Sequence, residues 1–145
     1  MKIKITKLKP TAILPEYQTS LAAGFDFHAA LDENYTLKPH ERFAVPTGLA
    51  MEIPAGYALF IFSRSGLGRK FGIAMANGVG VIDADYRGEI SVLLINNSED
   101  DFIIEPKMRI AQGVILKHET ADWDLVDELD MNTERGTNGF GSTGL

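Results

Sequence analysis

The sequence predicts an all-β domain, a sandwich or barrel built from many short strands. Three observations carry that reading. Hydrophobic periodicity is mostly two, turn signals recur between the apolar runs, and helical spacing is scarce. The chain has 145 residues, one domain's worth with one core. Apolar residues make up 45% and charged residues 23%, a balance that argues against disorder.

Ile3 and Ile5 alternate with Lys2, Lys4 and Thr6, so the chain opens on a strand with one apolar face. Leu49, Met51 and Ile53 repeat the alternation. Residues 57–62 and 90–95 are apolar on both faces and read as strands buried on both sides. Residues 102–104 and 110–116 add two more. Between the runs stand Lys38-Pro39, Pro46-Thr47-Gly48, Pro54-Ala55-Gly56, Asn96-Asn97-Ser98 and Glu105-Pro106, all turn signals. One short helix is expected over residues 65–71, after which the chain returns to a strand. Within residues 121–131, Trp123, Val126 and Leu129 stand three apart, a spacing that permits a second helix. Residues 132–145, NTERGTNGFGSTGL, are Gly-rich and cannot bury a core face. The expected organisation is one domain, with its β body over residues 1–131 and a mobile C-terminal arm over 132–145.

Composition excludes several function classes. There are no cysteines, hence no disulfides, zinc–thiolate sites or thiol nucleophiles, which fits a reducing cytoplasm. The N-terminus MKIKITKLKP has no continuous apolar core, so no secretory signal is expected. No apolar run approaches the roughly 20 residues that span a bilayer, so no membrane partner is expected. Fourteen Lys and Arg stand against 20 Asp and Glu, a formal charge of −6, and the basic residues are scattered. That argues against nucleic acid as a partner. An anionic ligand would need local donors and a metal to offset the overall field.

Several tempting motifs fail. Asp83-Ala84-Asp85 with Gly88 imitates a calcium loop, but Arg87 and Leu94 occupy ligand positions. Gly66-Leu67-Gly68 with Gly72 has neither dinucleotide spacing nor a Walker Lys-Ser/Thr. His28, His40 and His118 show no metal-ligand spacing.

Five segments remain. Ala23-Gly24-Phe25-Asp26 offers a carboxylate in a turn, able to hold Mg²⁺ directly or through water. Arg64-Ser65-Gly66 offers a guanidinium, a hydroxyl and a backbone N–H suited to phosphate oxygens, or simply an N-cap serine. Residues 77–88 form a Gly-rich hairpin whose backbone, with the Asn77 amide, can read a base edge. In it Asp83 can activate water or bind a sugar hydroxyl, and Tyr86 offers a flat face to a sugar. In Arg109-Ile110-Ala111-Gln112, strand alternation puts Arg109 with Ala111 on one face and Ile110 with Gln112 on the other. A Gln on an apolar strand face needs a partner. Last, residues 135–144 carry a charge, Arg135, a stacking face, Phe140, and the hydroxyls of Ser142 and Thr143.

Each segment alone is weak. Together and in this order they are specific. The chain resembles the trimeric dUTP diphosphatases (dUTPases), marked by AG-x-D, RSG, N-x-x-G-x-ID-x-x-Y-x-G, R-x-AQ and RG-x-x-GFGSTG. All five stand here between Ala23 and Gly144. The resemblance implies a jelly-roll-like β protomer in a homotrimer with active sites at subunit interfaces. One chain would supply the second and fourth motifs, a neighbour the third, and the remaining chain's arm would close over the nucleotide. It implies Mg²⁺-assisted hydrolysis of dUTP to dUMP and pyrophosphate by water attack at the α-phosphorus. This chemistry keeps uracil out of DNA and supplies dUMP for thymidylate synthesis.

By the same resemblance, Asp83 is the general base and a partner of the 3′-hydroxyl, and Tyr86 excludes a 2′-hydroxyl. Asn77 and the backbone at Gly80, Val81 and Ile82 read uracil, with Ser91 near the same pocket. Arg64, Ser65, Gly66 and Arg109 bind substrate phosphates, and Gln112 orients the α-phosphate or the water. Asp26 anchors Mg²⁺ through water. Arg135, Phe140, Gly141, Ser142 and Thr143 form the lid, Phe140 stacking on uracil. The chain departs from the family at Ser63, often proline, at Gly68-Arg69-Lys70, and at Phe27-His28, more commonly leucine-tyrosine. A dCTP deaminase would need a further acid after the hairpin, but Glu89 precedes the strand and none follows up to Asn97. A binding protein that has lost turnover would usually lose the base or the arm, and both are present.

Overall fold

The computed structural model describes residues 1–139. Eleven strands and one helix occupy them: β1 Lys4–Lys7, β2 Phe25–His28, β3 Tyr35–Leu37, β4 Arg42–Pro46, β5 Leu49–Glu52, β6 Tyr57–Phe62, α1 Ser65–Phe71, β7 Ile73–Met75, β8 Gly80–Ile82, β9 Ser91–Asn96, β10 Phe102–Ile104 and β11 Arg109–Lys117. Every ladder is antiparallel. A four-stranded sheet runs β2-β11-β6-β8, a three-stranded sheet β4-β9-β7, and β1-β5 and β3-β10 form two ribbons. The architecture is jelly-roll-like, open among the described residues rather than closed into a barrel.

One core joins the sheets. Phe27, Leu59, Ile61 and Ile110 come from the large sheet, and Val45, Ile73, Val92 and Leu94 from the smaller one. Leu37, Leu49 and Ile104 enter from the ribbons. Burying each such side chain stabilises the fold by roughly 1.5–3 kcal/mol relative to exposure. The packing is tight where β11 crosses it. A Cβ at Gly113 would lie 2.6 Å from Phe25 Cε2, 2.8 Å from Phe27 Cε2 and 2.9 Å from Leu59 Cδ1. Only hydrogen fits there.

Three expectations change. Asp26 lies in strand β2 and not in a turn, because Phe25 and Phe27 on either side of it are buried and stack edge-on at 5.5 Å. The strands expected to be buried on both faces are buried on one. In β9, Val92 and Leu94 are buried while Leu93 and Ile95 stay half-buried; in β6, Phe60 and Phe62 do the same. This chain has nothing to lay over the second face. Residues 121–131 form no helix. Trp123 is 89% exposed and Leu129 77%, and a short helix with no surface to bury its stripe lacks its main stabilisation. Regular structure ends at Lys117 among the described residues.

Candidate active site

Two groups of residues lie along the four-stranded sheet. The first sits where β6 runs into α1. Arg64 is the helix N-cap, and its carbonyl accepts from Leu67 and Gly68 N–H at 3.1 Å. The N–H groups of Ser65 and Gly66 precede these first helical donors and face outward on exposed residues. Ser65 is therefore the first helical residue, and the reading of it as an N-cap fails.

The Arg64 side chain turns back onto the sheet. Its Nε donates to Asp26 Oδ1 at 3.1 Å, and Nη1 donates to the Arg109 carbonyl at 3.3 Å. Arg109 Nη1 donates to Asp26 Oδ2 at 3.2 Å. Asp26 is 8% exposed and holds both guanidiniums. One carboxylate against two guanidiniums leaves a local positive excess on a chain of charge −6. The result is an anion site.

Gln112 joins this group through a bulge. Arg109 pairs with His28 and Ala111 with Phe27, so Ile110 is an extra residue in β11. The expected alternation breaks there. Ile110 and Ala111 are both buried, and Arg109 and Gln112, opposite His28 and Asp26, share a face. Gln112 Nε2 finds its partner in the Ser63 carbonyl at 3.0 Å. A Cβ at Gly24 would stand 3.1 Å from Gln112 Oε1, so the first motif's glycine leaves room for the fourth motif's amide. Ser63 ties the corner together, its Oγ accepting from Met75 N–H at 2.8 Å. Sequence reasoning gave Ser63 and Gly24 no role, since both act through backbone proximity that no residue type announces.

His28, on the same face of β2, has a buried Nδ1 without a partner among the described residues. Burial pushes its pKa below the usual 6.5, opposed by Asp26 and assisted by Arg109.

The second group lies at the other end of the sheet. β8 runs antiparallel to β6, with Gly80 opposite Ile61 and Ile82 opposite Leu59. The chain therefore moves away from Arg64 as it approaches Asp83, ending about 15–20 Å off along the strand direction. Asn77 opens the hairpin in a turn with Gly78 at φ 72°. Asp83 and Tyr86 share one turn, closed by Tyr86 N–H donating to the Asp83 carbonyl at 3.2 Å. Both are exposed. Ser91 is exposed at the head of β9, opposite Pro46 in the other sheet. Thus Asp26, Arg64, Ser65, Gly66, Arg109 and Gln112 converge, whereas Asp83 and Tyr86 stand apart from them within one chain. Arg135 Nε donates to the Asn138 carbonyl inside its own segment at 2.9 Å. Phe140, Gly141, Ser142 and Thr143 lie outside the described residues.

Comparison with known proteins decides the family. Residues 11–144 match the family model described as dUTPase. The chain belongs to the dUTPase family. It is 49% identical to the deoxyuridine 5'-triphosphate nucleotidohydrolase of Orientia tsutsugamushi (strain Boryong), across 100% of this chain and 99% of that one. It is 52% identical to the protein of the same name from Treponema denticola, across 97% and 96%. Among solved structures, a variant of the phage 80alpha dUTPase superposes with TM-score 0.89 at 30% identity, covering 97% of this chain and 98% of that one. The Staphylococcus bacteriophage 80alpha dUTPase solved with dUpNHpp gives 0.87 at 27% identity, covering 99% of each. The dUTPase of phage phi11 coordinates a structural Mg(II) ion and superposes at 0.82, 25% identical, over 90% of this chain and 99% of that one. A dUTPase reading accounts for an anion site made of two arginines at the start of a helix.

The same site can be tested for a divalent cation. Asp26 has about four acceptor positions, and two are taken by guanidiniums. The remainder can accept from a cation's water, while two adjacent positive charges oppose direct ligation. No cluster of three acidic or histidine ligands exists among the described residues. The donor set fits a cation carried mainly by a polyphosphate and touched through water.

Proposed function

We propose that this chain is a dUTP diphosphatase that hydrolyses dUTP to dUMP and pyrophosphate by attack of water at the α-phosphorus. Removal of dUTP keeps uracil out of DNA, and the dUMP formed supplies thymidylate synthesis. The observation that carries this is the convergence of Arg64, Arg109 and Gln112 beside the open N–H groups of Ser65 and Gly66.

These groups would neutralise and orient the triphosphate, so that the charge developing on the leaving pyrophosphate meets fixed donors. Gln112, its Nε2 engaged by the Ser63 carbonyl, keeps Oε1 to orient a water or substrate hydroxyl. Asp83 acts as general base, a role that contributes about 10²–10⁴-fold, and also binds the 3′-hydroxyl. Asn77 and the backbone at Gly80, Val81 and Ile82 read uracil, with Ser91 at the margin, and Tyr86 excludes ribose. Arg135, Phe140, Gly141, Ser142 and Thr143 supply the lid. Mg²⁺, held by the triphosphate and by Asp26 through water, supplies charge neutralisation for the leaving group. The wide separation of Asp83 from Gln112 supports a site shared between neighbouring chains of a homotrimer. So do the half-buried Leu93 and Ile95 and the exposed Trp123 and Leu125. The absence of a basic stripe argues against nucleic acid as a partner, and a cytoplasmic place suits the reaction. No helix among the described residues is long and apolar enough to cross a membrane.

The test is pyrophosphate release with Mg²⁺ from dUTP, UTP, dTTP and dCTP, for the native chain and Asp83→Asn. Release from dUTP alone, lost in Asp83→Asn, is expected. Binding of dUTP without release would overturn the enzyme reading, and ammonia from dCTP would make the protein a deaminase.

A further inference from the structure

Tyr86 is exposed, yet its ring is held from two sides. Its hydroxyl donates to the Glu89 carbonyl at 3.0 Å. That carbonyl sits on an immobile strut. The Glu89 carboxylate accepts from Gly48 N–H at 2.7 Å, and Ile90 N–H donates to the Leu49 carbonyl at 2.8 Å. The Ile90 carbonyl accepts from Thr47 Oγ1 at 2.6 Å, and Thr47 and Ile90 are both fully buried. On the other side the loop is closed by the Asp83–Tyr86 turn and by Arg87, whose Nη1 donates to the carbonyls of Ala84 and Tyr86 at 2.7 and 2.9 Å. The ring therefore lies across Gly88.

Gly88 does not have a left-handed φ, so the backbone does not require glycine there. Space does. A Cβ at position 88 would lie 2.4 Å from Tyr86 Oη, 2.6 Å from Cζ and 3.0 Å from Cε2. No other neighbour comes as near as these atoms. They all belong to the outer end of an exposed ring, which can swing away without disturbing the core. A methyl group at position 88 would thus move the ring and leave the fold intact.

We propose that Gly88 is the positioning residue for the Tyr86 ring, which it seats against the Glu89 carbonyl, and thereby sets the discrimination between deoxyribose and ribose. This rests on the reading of Tyr86 as the sugar platform. A flat face excludes one additional hydroxyl only if it is fixed to within a fraction of an ångström. A ring that has swung aside leaves room for the 2′-oxygen.

The experiment measures kcat/KM for dUTP and UTP on the native enzyme, Gly88→Ala, Tyr86→Ala and Tyr86→Phe, with the urea midpoint of each. Gly88→Ala is expected to lower the dUTP-to-UTP ratio about ten-fold or more, with its urea midpoint unchanged. Tyr86→Phe keeps the ring and loses the tether, and should lower the ratio about three-fold. It carries the test should Gly88→Ala fail to assemble, and an unchanged ratio there would then overturn the proposal. A native ratio in Gly88→Ala, alongside a collapsed ratio in Tyr86→Ala, would overturn the role of Gly88 and leave the platform reading standing. Equal losses on both substrates in Gly88→Ala would make the residue merely structural and also overturn it. A native ratio in Tyr86→Ala would sink the platform reading and the proposal with it.

Discussion

Replacing Asp26 by Asn keeps the shape of the arginine anchor and removes its charge. The native carboxylate accepts one bond from Arg64 at 3.1 Å and one from Arg109 at 3.2 Å, with side chains 26% and 45% exposed. A hydrogen bond to a charged group contributes about 1.5–3 kcal/mol when shielded, and an exposed ion pair about 0–1 kcal/mol. The Arg64 bond belongs nearer the first range and the Arg109 bond nearer the second. Asn restores one acceptor but turns an NH₂ toward a guanidinium. The net loss works out at about 2 kcal/mol, or roughly 1 M in the urea midpoint at an m-value of about 2 kcal/mol/M. Urea unfolding at fixed protein concentration reads this directly. A cycle with Arg64→Gln should give a coupling of about 1–2 kcal/mol, because the arginine has little to gain once the carboxylate is gone. The Asn variant should also bind dUpNHpp more weakly in EDTA, where no cation can account for the loss. A native midpoint and zero coupling would refute the claim that Asp26 holds the arginines.

Gly113→Ala should destabilise by about 1–3 kcal/mol, since its Cβ meets Phe25, Phe27 and Leu59 inside contact distance; thermal unfolding checks it. His28 has its pKa lowered by burial, so between the folded value and the usual 6.5 the unfolded chain binds more protons. Its contribution to stability is complete above that window and is lost as pH falls through it, and His28→Gln should flatten unfolding profiles there. Glu41, held below the usual carboxylate range by the Tyr35 hydroxyl and the Lys38 N–H, contributes above that range and loses its contribution in acid. Removing divalent cations with EDTA should suppress turnover far more than it weakens dUpNHpp binding, because the two arginines remain.

Much of the fold was legible because alternation survives wherever one face meets the core. Residues 57–62, 65–71 and 102–104 read in the sequence as they stand in the structure. Strand β2 was hidden, because Asp26 sits buried between two phenylalanines, and a buried carboxylate looks like a turn residue until its arginines are known. The bulge at Ile110 was hidden for a related reason. It is set by pairing with His28 and Phe27, 80 residues away, and not by local composition. The site was legible as five segments, yet their division into two distant groups depends on sheet order. Trp123 and Leu129 carry a helical spacing that this chain gives nothing to pack against.

That division is also the central claim most open to attack, and mixed trimers test it. Gln112→Ala and Asp83→Asn each disable one half of every site. Denatured together in equal amounts and refolded, they should form hybrids in which about one quarter of the sites combine two intact halves. The account predicts two inactive parents and a mixture with about one quarter of native dUTP hydrolysis. Hybrids verified by native mass spectrometry that stay as inactive as their parents would contradict it.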